Sequence, residues 1–191
     1  MGQESKQKQV IAAAIELFSK QGYHDTVVSE IADRAGVAKG TVYWYFDSKE
    51  KLFWEIIVSG IESINQQLEK LLEQNQLTAL EKLKEVINLY LDFFKTGKET
   101  AKMMQESSVK PGQYFHDEMD KLRTAAVNNL AEIIKEGQTD GQFVEDIDSQ
   151  EVANFILGAL AGSYNPHVYQ LENVEEKVDL VLNIIVNGIS A

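Results

Sequence analysis

The chain has no cysteine, which excludes a disulfide framework, a thiolate metal site and a cysteine nucleophile. That absence is compatible with a reducing compartment. Proline occurs only at Pro111 and Pro166, leaving long stretches free to run as unbroken helix. The longest apolar runs, such as "FILGALAG", fall far short of the roughly 20 residues of a membrane span. The opening "MGQESKQKQV" lacks the apolar stretch of a secretory signal. It also carries Lys6 where myristoylation wants Ser or Thr. No GxSxG elbow, P-loop, GxGxxG or HExxH is present. The expectation is a soluble, cytoplasmic protein that is not an enzyme and carries no cofactor.

What is present is an ordinary globular composition, 44% hydrophobic and 25% charged. The net charge of −12 at first argues against nucleic acid. Its distribution argues otherwise. Residues 1–51 hold seven basic and seven acidic side chains, so the whole excess of acid belongs to residues 52–191. A neutral head with clustered lysines can dock on phosphate while an acidic body resists non-specific binding.

Helical periodicity runs through the chain. Val10, Ile11, Ala14, Leu17 and Phe18 predict an amphipathic helix from about Lys6 to Lys20, closed by Gly22. Thr26 is placed to cap a second, short helix ending near Ala35, and Gly36 supplies a tight turn. A third helix follows from about Ala38 to Phe46, and Asp47 with Glu50 resembles a capping box opening a longer fourth. Further helical patterns cover 77–94, 114–135, 149–163 and 174–189. The fold expected is all-α with about nine helices: a helix-turn-helix head at 1–47, and a helical body at 48–191.

Helix, glycine turn and short helix is the arrangement whose second helix enters the DNA major groove. "TVYWYF" places Tyr43, Trp44 and Tyr45 side by side. Successive helical residues point about 100° apart, so one buried face cannot take all three rings. Any single ring could still be core. Val42 and Phe46, four apart, suit the buried face and leave Lys39, Gly40, Thr41, Tyr43 and Trp44 on other surfaces. Lysine can donate to guanine acceptors, glycine permits close backbone approach, and aromatic edges can press on thymine methyls. Lys49 is placed to meet a phosphate in the first turn of the fourth helix. Thr26 and Ser29, at the start of the second helix, complete the DNA-binding set.

The order "LF..QGY..T", "IA..AGV.KGT.Y.YF" and "SKE.LF" over residues 6–55 resembles the N-terminal domain of TetR-type transcriptional regulators. The resemblance implies that Lys39, Gly40, Tyr43 and Trp44 read bases, and that Thr41, Tyr45 and Lys49 meet the phosphate backbone. Two positions depart from the family pattern. Val27 stands where Ser or Thr is frequent, and Ala38 where a capping Ser is common. The resemblance further implies a dimer on operator DNA, most simply a repressor released from a palindrome by a small, largely apolar effector.

The body is less legible. "FILGALAGSY" lines up Gly158, Ala159, Ala161 and Gly162, and the last helix offers Leu180, Ile184 and Ile185. An intrachain core and a dimer interface built from the two C-terminal helices both fit these residues. Tyr90, Phe94, Met103, Met104, Phe115, Met119 and Phe155 are the expected effector-binding residues, with Phe93, Tyr114 and Tyr164 as further candidate walls. Plain core explains each of them too. His116 and Asp120 sit one turn apart, but two ligands make no metal site, and none is expected.

Overall fold

The computed structural model of the chain describes residues 2–96, 113–162, 180 and 183–188. Every element among them is an α-helix: α1 (Gly2–Asp25), α2 (Val28–Ala35), α3 (Lys39–Tyr45), α4 (Lys49–Leu72), α5 (Ala79–Thr96), α6 (Gln113–Thr139) and α7 (Ser149–Gly162). Residues 183–188 are helical as well. No helix among the described residues is long and apolar enough to cross a membrane. Two compact units divide the chain: one reaches Gly60 and takes in 113–118, the other holds 61–96 and resumes at Met119.

In the first unit, α1 buries Val10, Ala14 and Phe18, the inward stripe its periodicity predicts. Gly22 breaks that helix at φ 83 and ψ 165, and helical bonding resumes for one turn to Asp25. Such a backbone suits glycine, which has no Cβ to clash. Gly36 (φ 66) ends α2, and its N–H bonds back to the Ala32 and Asp33 carbonyls. The unit extends beyond residue 47 because Phe53, from α4, packs against Phe18 and Tyr23 at ring-centroid distances of 6.1 and 5.2 Å. Trp54 meets Phe115 at 4.4 Å.

Two expected caps sit elsewhere. Val27, not Thr26, precedes α2, and its N–H donates to the Glu30 carboxylate at 3.2 Å. Thr26 is fully buried, and its hydroxyl donates instead to the Gly22 carbonyl at 2.7 Å. Ser48, not Asp47, caps α4 by accepting the Lys51 N–H at 3.0 Å. The serine hydroxyl lies one residue closer to the helix start, and Asp47 is left 3.8 Å from the Lys51 ammonium.

The second unit has one apolar core, drawn from Leu68 of α4, Leu83 and Ile87 of α5, Leu130 and Ile134 of α6, and Ile156 and Leu160 of α7. Inside it Lys82 is buried and paired with Glu136 at 2.8 Å. At the end of α6 the Phe143 ring packs against Gly137, leaving no room there for a Cβ. Gln138 holds the following loop by donating to the Val144 and Ile147 carbonyls at 2.9 and 2.7 Å. Thr78 and Glu81 form the capping box that opens α5.

Candidate nucleic-acid interface

Helix α3 is seven residues long, and Ala38 caps it without a side-chain hydrogen bond, as its methyl group requires. Val42 and Phe46 are each 2% exposed and anchor the helix against α1 and α2. Phe46 has already left helical geometry at φ −134, yet its N–H still bonds to the Val42 carbonyl at 2.9 Å. The opposite face is open. Tyr43 is 44% exposed and Trp44 66%, with Lys39 and Gly40 exposed beside them. A Cβ built on Gly40 would touch nothing within 4 Å, so the backbone there is bare to an approaching partner.

The rings and charges of this face are ordered. Trp44 stands edge-on to Tyr45 at 4.7 Å and 82°. Tyr45 is half-buried and bridges toward Phe46 at 6.3 Å. Lys39 lies 6.0 Å over the Tyr43 ring, at the outer limit of a cation–π contact. Three neighbouring rings therefore take two environments: Tyr43 and Trp44 outward, Tyr45 half-inward. Ser29 is exposed and Thr41 half-buried. The frame beneath is tied by Arg34, which grips Glu16 through two hydrogen bonds of 2.7 and 2.8 Å. Lys20 adds a third at 2.8 Å, and the two cations hold the Glu16 carboxyl below its usual range. That bridge links residues 18 apart, and no sequence spacing could have announced it.

Two of the expected DNA-contact residues are held by hydrogen bonds within the chain. Thr26 is buried, and its hydroxyl is committed to the Gly22 carbonyl. Lys49 is turned inward. Its ammonium donates to the carbonyls of Tyr23 at 2.6 Å and Thr26 at 2.8 Å, with a longer contact to His24 at 3.4 Å. It also lies 4.2 Å over the Tyr23 ring.

The expected effector-binding residues scatter. Tyr90 and Phe93 are half-buried against the second unit's core, and burial pushes the Tyr90 phenol up to about 12. Met119 is half-buried in the same unit. Phe115 belongs to the first unit, where it is buried against Trp54. Phe155 stands 72% exposed on α7, because it lies off the buried Ile156 and Leu160 stripe. Phe94, Met103, Met104, Tyr114 and Tyr164 have side chains outside the described residues. No group of three His, Cys, Asp or Glu that could hold a metal ion occurs among the described residues.

Comparison with known proteins matches these features over most of the chain. Residues 10–56 fit the family described as bacterial regulatory proteins, tetR family, and residues 76–165 fit a tetracyclin repressor-like C-terminal domain. The fatty acid metabolism regulator protein of Bacillus subtilis is 30% identical, over 96% of this chain and 95% of its own. The HTH-type transcriptional regulator QacR of Staphylococcus aureus is 25% identical, over 95% and 96%. Among solved structures, the transcriptional regulator FadR of Bacillus subtilis in complex with stearoyl-CoA is 27% identical with a TM-score of 0.75, over 95% of this chain and 98% of that one. These relatives are transcription factors, not enzymes. The chain belongs to the tetR family of DNA-binding transcriptional regulators.

Proposed function

We propose that this regulator is a cytoplasmic repressor, released from a palindromic operator when an effector bearing a long apolar chain binds its body. The carrying observation is the split of α3: Val42 and Phe46 are buried while Lys39, Gly40, Tyr43 and Trp44 face outward. In this reading residues 1–47, which lie within the first compact unit, are the DNA-reading head, and 48–191 supply the responsive body. The apolar effector is supported by half-buried Tyr90, Phe93 and Met119 in the second unit. A relative that binds stearoyl-CoA makes a long-chain acyl thioester the first effector to try.

The operator is a palindrome in this reading because the regulator is a two-fold dimer. Phe155 on α7, with Leu180 and Ile184 near the C-terminus, are large apolar side chains left exposed on one chain. A second copy that covers them would build the interface from the two C-terminal helices. Two-fold symmetry then places the recognition helices on half-sites about one helical turn apart or a multiple. The effector acts by favouring a head arrangement unsuited to DNA, since equal affinity for both states shifts nothing.

Selecting duplexes from a random pool with the protein supplies the operator. Fluorescence anisotropy on the selected duplex, with and without stearoyl-CoA, then tests the switch. A coupling of about 1–3 kcal/mol would weaken binding by roughly 5- to 150-fold. Stearoyl-CoA that binds the protein and leaves operator affinity unchanged would refute this effector's role.

A further inference from the structure

The surface of α3 is only as well placed as the α1–α2 corner beside it, and one side chain from α4 holds that corner. The carbonyls at the end of a helix lack intrahelical partners and carry partial negative charge, so a cation there is favoured. At the end of α1 Lys49 supplies that cation, bonding the Tyr23 and Thr26 carbonyls at 2.6 and 2.8 Å. An ammonium has three donors. The remaining direction meets the His24 carbonyl at 3.4 Å, and the charge sits 4.2 Å over the Tyr23 ring. The Thr26 hydroxyl closes the corner onto Gly22, and Tyr23 is itself wedged between Phe18 and Phe53 at 5.6 and 5.2 Å. Burial lowers the Lys49 pKa, with the charge of Asp25 acting the other way.

We infer that Lys49 is a positioning residue for DNA binding: it fixes the α1–α2 corner, and with it the neighbouring α3, on the start of α4, and it neutralises no phosphate. Meeting a phosphate would require the ammonium to abandon two short hydrogen bonds and the Tyr23 face together. The sequence position alone, in the first turn of a helix beside the recognition helix, reads equally well as a phosphate contact. The carbonyl geometry separates the two roles.

Three measurements test the assignment. Lys49→Met keeps the apolar stem over Tyr23 and removes the donors, while Lys49→Arg keeps the charge but replaces the compact ammonium by a planar fork. Each variant is titrated against the duplex selected by the unmodified protein and against a scrambled duplex of equal length. Salt is varied between about 50 and 200 mM, well below each variant's melting midpoint. The positioning role predicts that both variants lose about tenfold or more on the selected duplex, little on the scrambled one, with an unchanged salt slope. Equal losses on both duplexes, with the slope reduced by about 0.9 for each phosphate no longer neutralised, would overturn it in favour of phosphate binding. So would a lower melting midpoint with both affinities intact, which is a scaffold role alone. Amine labelling of the unmodified protein decides the case even if the variants fail to fold. Lys49 should label slowly in both free and DNA-bound protein, whereas fast labelling that DNA suppresses would contradict the assignment.

Discussion

Phe46 and Trp44 stand two residues apart in the chain, yet the first is 2% exposed and the second 66%. Two helical steps rotate a side chain by about 200°, so burying one turns the other out. Phe46→Ala should cost the head about 3–5 kcal/mol, the usual range for a buried phenylalanine. Trp44→Ala should leave the melting midpoint nearly unchanged. Differential scanning calorimetry on the two variants checks this, and equal destabilisation would mean that α3 is rotated.

Gly137→Ala should destabilise the second unit, although alanine is the better helix former by about 1 kcal/mol. The added methyl collides with the Phe143 ring and reaches 3.0 Å from the Ala79 Cβ. A cost of about 1–3 kcal/mol is expected for such overpacking. Adding Phe143→Leu should recover part of it in urea melts, and the double variant should be more stable than Gly137→Ala alone.

Lys82 and Glu136 should respond asymmetrically. Lys82 is 2% exposed and Glu136 36%, at 2.8 Å. Glu136→Gln leaves a buried ammonium without its counter-charge, so it should cost more than Lys82→Met, which removes the charge and keeps the packing. The larger loss should fall below the ~3–5 kcal/mol of a fully buried pair, because water screens the exposed carboxylate. Paired chemical denaturation curves measure the difference. Equal costs would contradict it.

Tyr90 gives the body an alkaline weakness. Its phenol is pushed up to about 12 by burial, against about 10 for an unfolded tyrosine. Between those values the folded state keeps a proton that the unfolded state has released. Stability therefore falls as pH rises through that window, by at most about 1.4 kcal/mol per pH unit from this group. Below about pH 10 the group contributes no slope. Tyr90→Phe should flatten the decline seen in urea melts between about pH 10 and 12, and an unaltered profile would show that the phenol is not the cause.

Phe155→Arg should leave each chain folded and shift sedimentation toward the monomer. The ring is 72% exposed and adds little to its own chain's core. A dimer that persists unchanged at micromolar concentration would place the interface elsewhere.

How far the sequence reached depended on whether a relationship was local. The burial of Val42 and Phe46 and the exposure of Tyr43 and Trp44 follow from helical spacing along "TVYWYF". Weak capping of α3 at Ala38 was legible for the same reason. Lys49 was not, because its partners lie 23 to 26 residues upstream and are backbone carbonyls that any residue types would supply. The fit of Phe143 against Gly137 depends on how a loop folds back over its own helix. The exposure of Phe155 was not legible for another reason: apolar character says that a side chain wants covering, and a partner chain satisfies that as well as a core does.

The most direct test of DNA reading by α3 is an operator titration of Trp44→Ala. Trp44 is the most exposed ring of α3, so its loss should leave the fold intact and, if this face reads DNA, remove a base contact. Affinity for the selected duplex should fall by about 1–3 kcal/mol, while affinity for a scrambled duplex stays near that of the unmodified protein. Unchanged affinity for the selected duplex, in a variant that melts normally, would contradict the claim that this face of α3 reads DNA.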